Sequence, residues 1–377
     1  MITQYNILCT ESYYDRSTIY FETECDNFKK ILEATSILNE NSILIEAIDF
    51  KAISGKLKHI WESFKKWFKT HVIDKLKALY QKIVSSRLAN AIKKIPSSTY
   101  GKFNDIKFRL KNGKYVPEDV NFDDAEDAKN FDTLDSLDDK DINEACNKIL
   151  SEAVSEKESK IVAMIGALIK PAIFFNIHNY VDTGKLVSAF KIFEKVGEKA
   201  IDILNKAGDN SKDSLSDLRQ NIDYNTEDES DEAFDMIEDA FKIQLSDMDD
   251  YDSISANEIK SAINKDLQSK MKSNLTLREV LDIIKTNQDS TKDCMDLFRS
   301  MSNSINSSIE KFNSVLDKIF TNIGVSKNTN KFEYLLSTIK ELEKASLFIM
   351  VLEDYCMYNY TLSAGIGEAI DRLAEIL

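Results

Sequence analysis

Chain breakers are scarce in this sequence. Of 377 residues only 10 are glycine and 3 are proline. Sandwiches, barrels and doubly wound folds turn often and use both residues at their turns, so the shortage argues against them. Long helices tolerate it, and abundant Lys, Glu, Asp, Leu and Ile favour them. Cysteine is sparse too. Cys9, Cys25, Cys146, Cys294 and Cys356 are odd in number, scattered, and form no C-x-x-C pair. That argues against a disulfide framework or a zinc site and suits a reducing compartment.

Catalytic signatures are missing as well. The histidines are His59, His71 and His178. None belongs to an H-E-x-x-H pattern or lies near a Ser or Cys motif, so each reads as a surface or packing residue. No P-loop is present. Gly365-Ile366-Gly367 lacks the third glycine of a dinucleotide loop and sits among helical residues, where it reads as a kink. Asp247, Asp249, Ser255 and Glu258 fall on the ligand spacing of a calcium loop, but Asp252 stands where the sharp turn needs glycine. Carboxylates are so numerous that none stands out as a general acid or base. The expectation is a non-enzymatic protein without metal or cofactor.

Long apolar runs are also lacking. Met1–Thr10 has no basic start followed by an apolar core, so no secretory signal peptide is expected. The most apolar stretch, Ile161–Val181, is interrupted at Lys170-Pro171 and carries Asn176, His178 and Asn179. A spanning helix needs about 20 apolar residues. The stretch therefore reads as a buried helix, a break and a second buried turn, with a membrane span as the alternative if Lys170 is tolerated.

What is present is a split of charge. Residues 51–115 hold 17 Lys/Arg against three acids, Glu62, Asp74 and Asp105, inside a chain of net charge −15. Such a segment faces a polyanion, or docks on acidic parts of this chain or of another copy. Hydrophobic residues make up 43%, enough for real cores.

Within 53–95 Leu57, Trp61, Phe64, Phe68, Val72, Leu76, Leu79 and Ile83 recur at spacings of three and four, which predicts one helical stripe ended by Pro96. Trp67 lies at its edge. Lys58, Lys65, Lys66, Lys69 and Lys77 lie on the flanks or the opposite face, and Lys75 follows in the same helix. An aromatic stripe flanked by lysines suits phosphate or anionic lipid. The plainer reading makes the stripe a core face and the lysines a solvated one. The candidate partner- or polyanion-binding residues are Lys58, Trp61, Lys65, Lys66, Trp67, Lys69, Lys75 and Lys77.

At 103–116 the period changes. Ile106, Phe108 and Leu110 alternate with Lys107, Arg109 and Lys111 ahead of Asn112-Gly113, which predicts a β-hairpin. Helices are expected over 26–48, 141–169, 183–206, 305–319 and 332–357. Thr276 and Glu279 form a capping-box signal ahead of Val280–Ile284, and Gly324 with 326–330 marks a turn. The acidic stretch 118–144 reads as linker, and 223–252 as an acidic amphipathic helix.

Polar helices (Phe28-Lys29-Lys30-Ile31-Leu32-Glu33-Ala34 and Ile43-Leu44-Ile45-Glu46-Ala47-Ile48) lead into Ile60-Trp61-Glu62-Ser63-Phe64-Lys65-Lys66-Trp67-Phe68-Lys69. Over residues 25–95 that order resembles uncharacterised virion structural proteins of large tailed bacteriophages infecting low-GC bacteria. The resemblance implies a structural role in a virion or in the host cytoplasm, with other virion proteins, a second copy or DNA as partners. It carries over no specific residue.

The expected architecture is all-α, one or more multi-helix bundles with a single small β-hairpin near 103–116. Its parts are a basic helical region (1–95), the hairpin (96–117), an acidic linker (118–140), a central helical region with an acidic segment (141–252) and a C-terminal helical bundle (253–377). The expected function is that of a virion structural or assembly protein acting through protein–protein contacts, its basic helix docking on an acidic surface or packaged DNA. The alternative is a membrane-active protein using the amphipathic Lys/Trp/Phe helix.

Overall fold

The computed structural model describes residues 50–85, 99–118, 158–182, 255–321 and 330–377, with isolated positions at 27 and 30 and among 184–191 and 236–242. The described residues form six α-helices, short 3₁₀ and π turns and one small three-stranded antiparallel sheet, so they are mostly helical, as the shortage of breakers implies. Most of the expected helix at 26–48, the linker beyond 118, the start of the helix expected at 141–169, the end of the one expected over 53–95, most of the helices at 183–206 and 223–252, and the turn residues 322–329 lie outside the described residues.

Two long helices dominate: α5 (Leu277–Thr321) and α6 (Asn330–Ile376). They pack together. Asn287, near the start of α5, donates to Ser363, near the end of α6, so they run antiparallel. Each is longer than expected. The helices predicted at Val280–Ile284 and 305–319 are parts of one 45-residue helix, and the one predicted at 332–357 continues through Gly365 and Gly367 to Ile376.

The long helices differ in character. α5 is amphipathic and buries Leu277, Val280, Leu281, Ile284, Met295 and Phe298 along one stripe. α6 buries six consecutive residues, Leu347, Phe348, Ile349, Met350, Val351 and Leu352. A helix apolar on every side belongs inside a fold. The remaining helices pack around it: α1 (Phe50–Phe68), α2 (Asp74–Ser85), α3 (Glu158–Leu168) and α4 (Ala256–Ser269).

The hairpin forms where the Asn-Gly pair predicts. β1 (Lys107–Lys111) and β2 (Lys114–Pro117) pair with Lys111 opposite Lys114. Asn112 and Gly113 both have positive φ, 51° and 81°, as a tight twisted hairpin turn requires. The sequence did not reveal the third strand. β3 (Asn274–Thr276) pairs antiparallel with the other edge of β1, giving the order β2-β1-β3. Thr276 and Glu279 then make the expected capping box at the start of α5: each backbone N–H donates to the other's side-chain oxygen.

Phe108 and Tyr115 point from the sheet onto α3 and join a core with Ile161, Ile165, Leu275, Leu281, Ile366 and Ile370. The sheet and α3 approach so closely at Gly166 that a Cβ there would lie 2.8 Å from the Tyr115 carbonyl oxygen. Hairpin, α3, α5 and α6 thus contribute to one hydrophobic cluster.

The stretch 161–181 is a helix, a break and buried turns. α3 ends at Leu168, Pro171 opens a 3₁₀ turn (Pro171–Phe174), and a second one spans Ile177–Asn179. Irregular backbone inside a core needs partners for its carbonyls. Two buried asparagines supply them. Asn359 of α6 donates to the carbonyls of Ala172, Ile173 and Phe175, and Asn287 of α5 donates to Ile173. Among the described residues no helix is long and apolar enough to cross a membrane.

Candidate functional site

The part of the basic stretch within residues 50–85 folds as one arm. α1 runs into a π-helical turn, Lys69–Ile73, and continues as α2. The backbone N–H of Asp74 reaches back to the Lys69 carbonyl, a bond one residue longer than the helical one. The extra residue shifts the register, so His71 and Val72, adjacent in sequence, are both buried.

The arm lies against α6 along α1, the π turn and α2, and touches α5 as well. Its apolar stripe faces inward. Leu57, Ile60, Trp61, Phe64, Phe68, Val72 and Leu79 are buried, and Trp67, expected at the edge, is buried with them. The aromatic rings stack on one another along the helix: Phe64 lies 5.6 Å from Trp61, 6.3 Å from Trp67 and 6.1 Å from Phe68 between ring centres.

The eight candidate residues divide accordingly. Trp61 and Trp67 face the protein's own interior, and the Trp61 indole N–H donates to Asn313 of α5. Lys75 turns toward α6 and pairs with Asp354 at 2.5 Å. Lys65 is half-buried and paired with Glu62 at 2.7 Å on the same helix. Lys58, Lys66, Lys69 and Lys77 are exposed, with Lys77 3.5 Å from Asp74. Among the described side chains the outward surface of the arm is therefore rich in lysine and carries little apolar area. Tyr80 is its exposed large ring.

Behind the arm lies a second group that sequence reasoning missed. Asp354 takes Lys75 on one oxygen and has Lys260 of α4 at 3.9 Å from the other. Tyr355 donates to the Lys260 carbonyl and stacks on Phe175, which stacks on Tyr180. Tyr180 in turn donates to Asp266, which pairs with Lys270. Glu353 sits beside Asp354, almost wholly enclosed, and neither of its oxygens has a hydrogen-bond partner. Burial drives its carboxyl well above the usual range; Asp354 adds to the effect and Lys75 opposes it. His71, against Trp67, is held below its ordinary value by burial and by Lys75, with Asp354 opposing. The signal was an acidic pair inside an otherwise apolar run, Leu347 to Tyr355.

The calcium-loop spacing is described only at its end. There Ser255 caps α4, and Glu258 accepts from the Ser255 backbone and hydroxyl. Among the described residues no group of three or more His, Cys, Asp or Glu side chains is placed to hold a metal ion.

Comparison with known proteins finds no matching family model, no matching curated protein and no matching solved structure.

Proposed function

We propose that this chain is a non-enzymatic structural or assembly protein of the virion type its N-terminal third resembles, acting through protein–protein contacts. The outward lysines of the arm, Lys66, Lys69 and Lys77 with Lys58, dock on an acidic surface of another virion protein or of a second copy. One observation carries this reading. The Trp/Phe stripe is turned into the chain's own core while the lysines of the same helix face outward. A cationic face with little apolar area gains from a polyanionic partner by charge, whereas an interfacial membrane helix needs its aromatic side free.

The test is light scattering after size-exclusion chromatography, at low and high salt, alone and with duplex DNA. Wild-type protein is expected to self-associate or to bind an acidic partner in a salt-sensitive manner. Lys66→Glu, Lys69→Glu and Lys77→Glu combined are expected to abolish that association. Close charge contacts weaken as the Debye length shrinks from about 10 Å toward 3 Å between 0.1 and 1 M salt. A monomer indifferent to salt overturns the reading, and a salt-sensitive complex with DNA alone replaces the protein partner by nucleic acid.

A further inference from the structure

Two buried polar groups without hydrogen-bond partners lie on elements that pack together along a seam, the arm and α6, and the charge of Lys75 on the arm acts on one of them, Glu353. Glu353 of α6 is 2% exposed and both of its carboxylate oxygens lack a hydrogen bond. The indole N–H of Trp67, on α1, lacks one too. Lys75, the cation whose charge acts on Glu353, is drawn to the neighbouring Asp354, as is Lys260. A carboxylate enclosed without donors is costly to keep charged, and a carboxylic acid there is not.

We propose that Glu353 is a proton-operated latch on this seam: with its carboxyl protonated α6 closes over the aromatic face of the arm, and loss of the proton frees the arm. Charged and titratable groups act here from several elements. On α6 itself Asp354 disfavours ionisation of Glu353 and Tyr355 lies beside it. From α2, Lys75 favours ionisation but is engaged by Asp354. His71 of the π turn and Lys260 of α4 act on Asp354. Among the described residues no hydrogen-bond donor reaches the Glu353 carboxyl.

The direction follows from linkage. The folded protein holds this proton more tightly than the unfolded chain does. The contribution of Glu353 is therefore complete below the ordinary carboxyl value of 4.5. It declines as pH rises from there through the elevated folded value. The latch opens on the alkaline side, and it stands independently of what the outer lysines bind.

The chain has two tryptophans, Trp61 and Trp67, and both lie on the inward face of α1. Intrinsic fluorescence thus reports directly on the seam. The experiment follows emission maximum and acrylamide quenching of the full chain from about pH 6.5 to about pH 9, above the ordinary histidine titration and below that of tyrosine. Wild-type protein is expected to shift to the red and to become more quenchable, with far-ultraviolet dichroism retained. Glu353→Gln and Glu353→Met, which carry no proton to lose, are expected to stay closed over the whole range. Two variants are used so that an unpartnered buried amide in the first does not decide the outcome. Either a wild-type protein whose tryptophans stay shielded to the alkaline end, or a red shift of equal size in both variants, overturns the latch.

Discussion

Lys75 of α2 and Asp354 of α6 meet at 2.5 Å with side chains 22% and 26% exposed. They form an ion pair bridging the basic arm to the central helix. Such a pair is worth more than a fully solvated one because water screens it less. Lys75→Met is expected to lower unfolding stability by about 1 kcal/mol, with Asp354→Asn similar and the double variant less than additive. Urea titrations of the four proteins close the cycle. Removing Lys75 also removes the charge that favours an ionised Glu353, so the alkaline opening should begin at higher pH in Lys75→Met than in wild type.

His71 titrates with the opposite sign. Burial, reinforced by Lys75, keeps its imidazole below the ordinary 6.5 in the folded protein. The stabilising contribution is present above that value and is lost as pH falls through it toward the lowered folded one. Between about pH 7.5 and 5.5 the wild-type urea midpoint is expected to fall relative to that of His71→Phe. Parallel midpoints in the two proteins would show that the imidazole does not titrate differently on folding.

Asn359 donates from a single amide to three buried carbonyls, those of Ala172, Ile173 and Phe175. Asn359→Leu keeps the volume near and leaves those oxygens without the donor. A loss of about 1–3 kcal/mol is expected, because Ala172 keeps the Phe175 N–H and Ile173 keeps Asn287, so the cost falls mainly on the Phe175 carbonyl, a buried acceptor left without this donor. Asn287→Leu, which removes one such carbonyl bond, should cost less. Equilibrium urea denaturation gives the order directly.

The same substitution should have opposite signs at two glycines. A Cβ at Gly166 would lie 2.8 Å from the Tyr115 carbonyl oxygen and 3.3 Å from the Phe108 ring, and the nearer of these is backbone. Gly166→Ala is expected to cost about 1–3 kcal/mol. Gly55, within α1, has no atom within 4 Å of the corresponding position. There Gly55→Ala should stabilise by about 0.5–1 kcal/mol through helix propensity and reduced unfolded-state entropy. Thermal unfolding of the two variants should bracket the wild type.

Local features were legible where local chemistry dictates them. Asn112-Gly113 announces its turn because few residue pairs accept two positive φ angles in succession. Thr276 and Glu279 announce a helix start because their side chains complete each other's backbone. The stripe of α1 is legible from its spacing. The lengths of α5 and α6 were not, since polar residues such as Ser302, Asn303 and Ser304 suggest an end where the helix continues, and an all-apolar stretch such as 347–352 has no stripe to follow. β3 has three residues, too few to show a period, and exists through its pairing with β1. The candidate site divided in the same way. Which residues of the arm are lysine and which aromatic is plain from the sequence, but whether the tryptophans look inward depends on α6, distant in sequence. The π turn and the burial of Glu353 belong wholly to tertiary context.

β1 stands between β2, its immediate neighbour, and β3, which the ribosome makes much later. Tyr115 donates to the carbonyl of Lys272, 157 residues downstream. While the intervening chain is synthesised, the edge of β1 that β3 later takes is open, and Phe108 has neither Leu275 nor Ile366 to cover it. Closing such a distant contact is slow. During translation the hairpin is thus a nascent segment with an unpaired strand edge, and its charged outer residues, Lys107, Arg109 and Lys111, guard that edge against pairing with other chains until the downstream strand arrives.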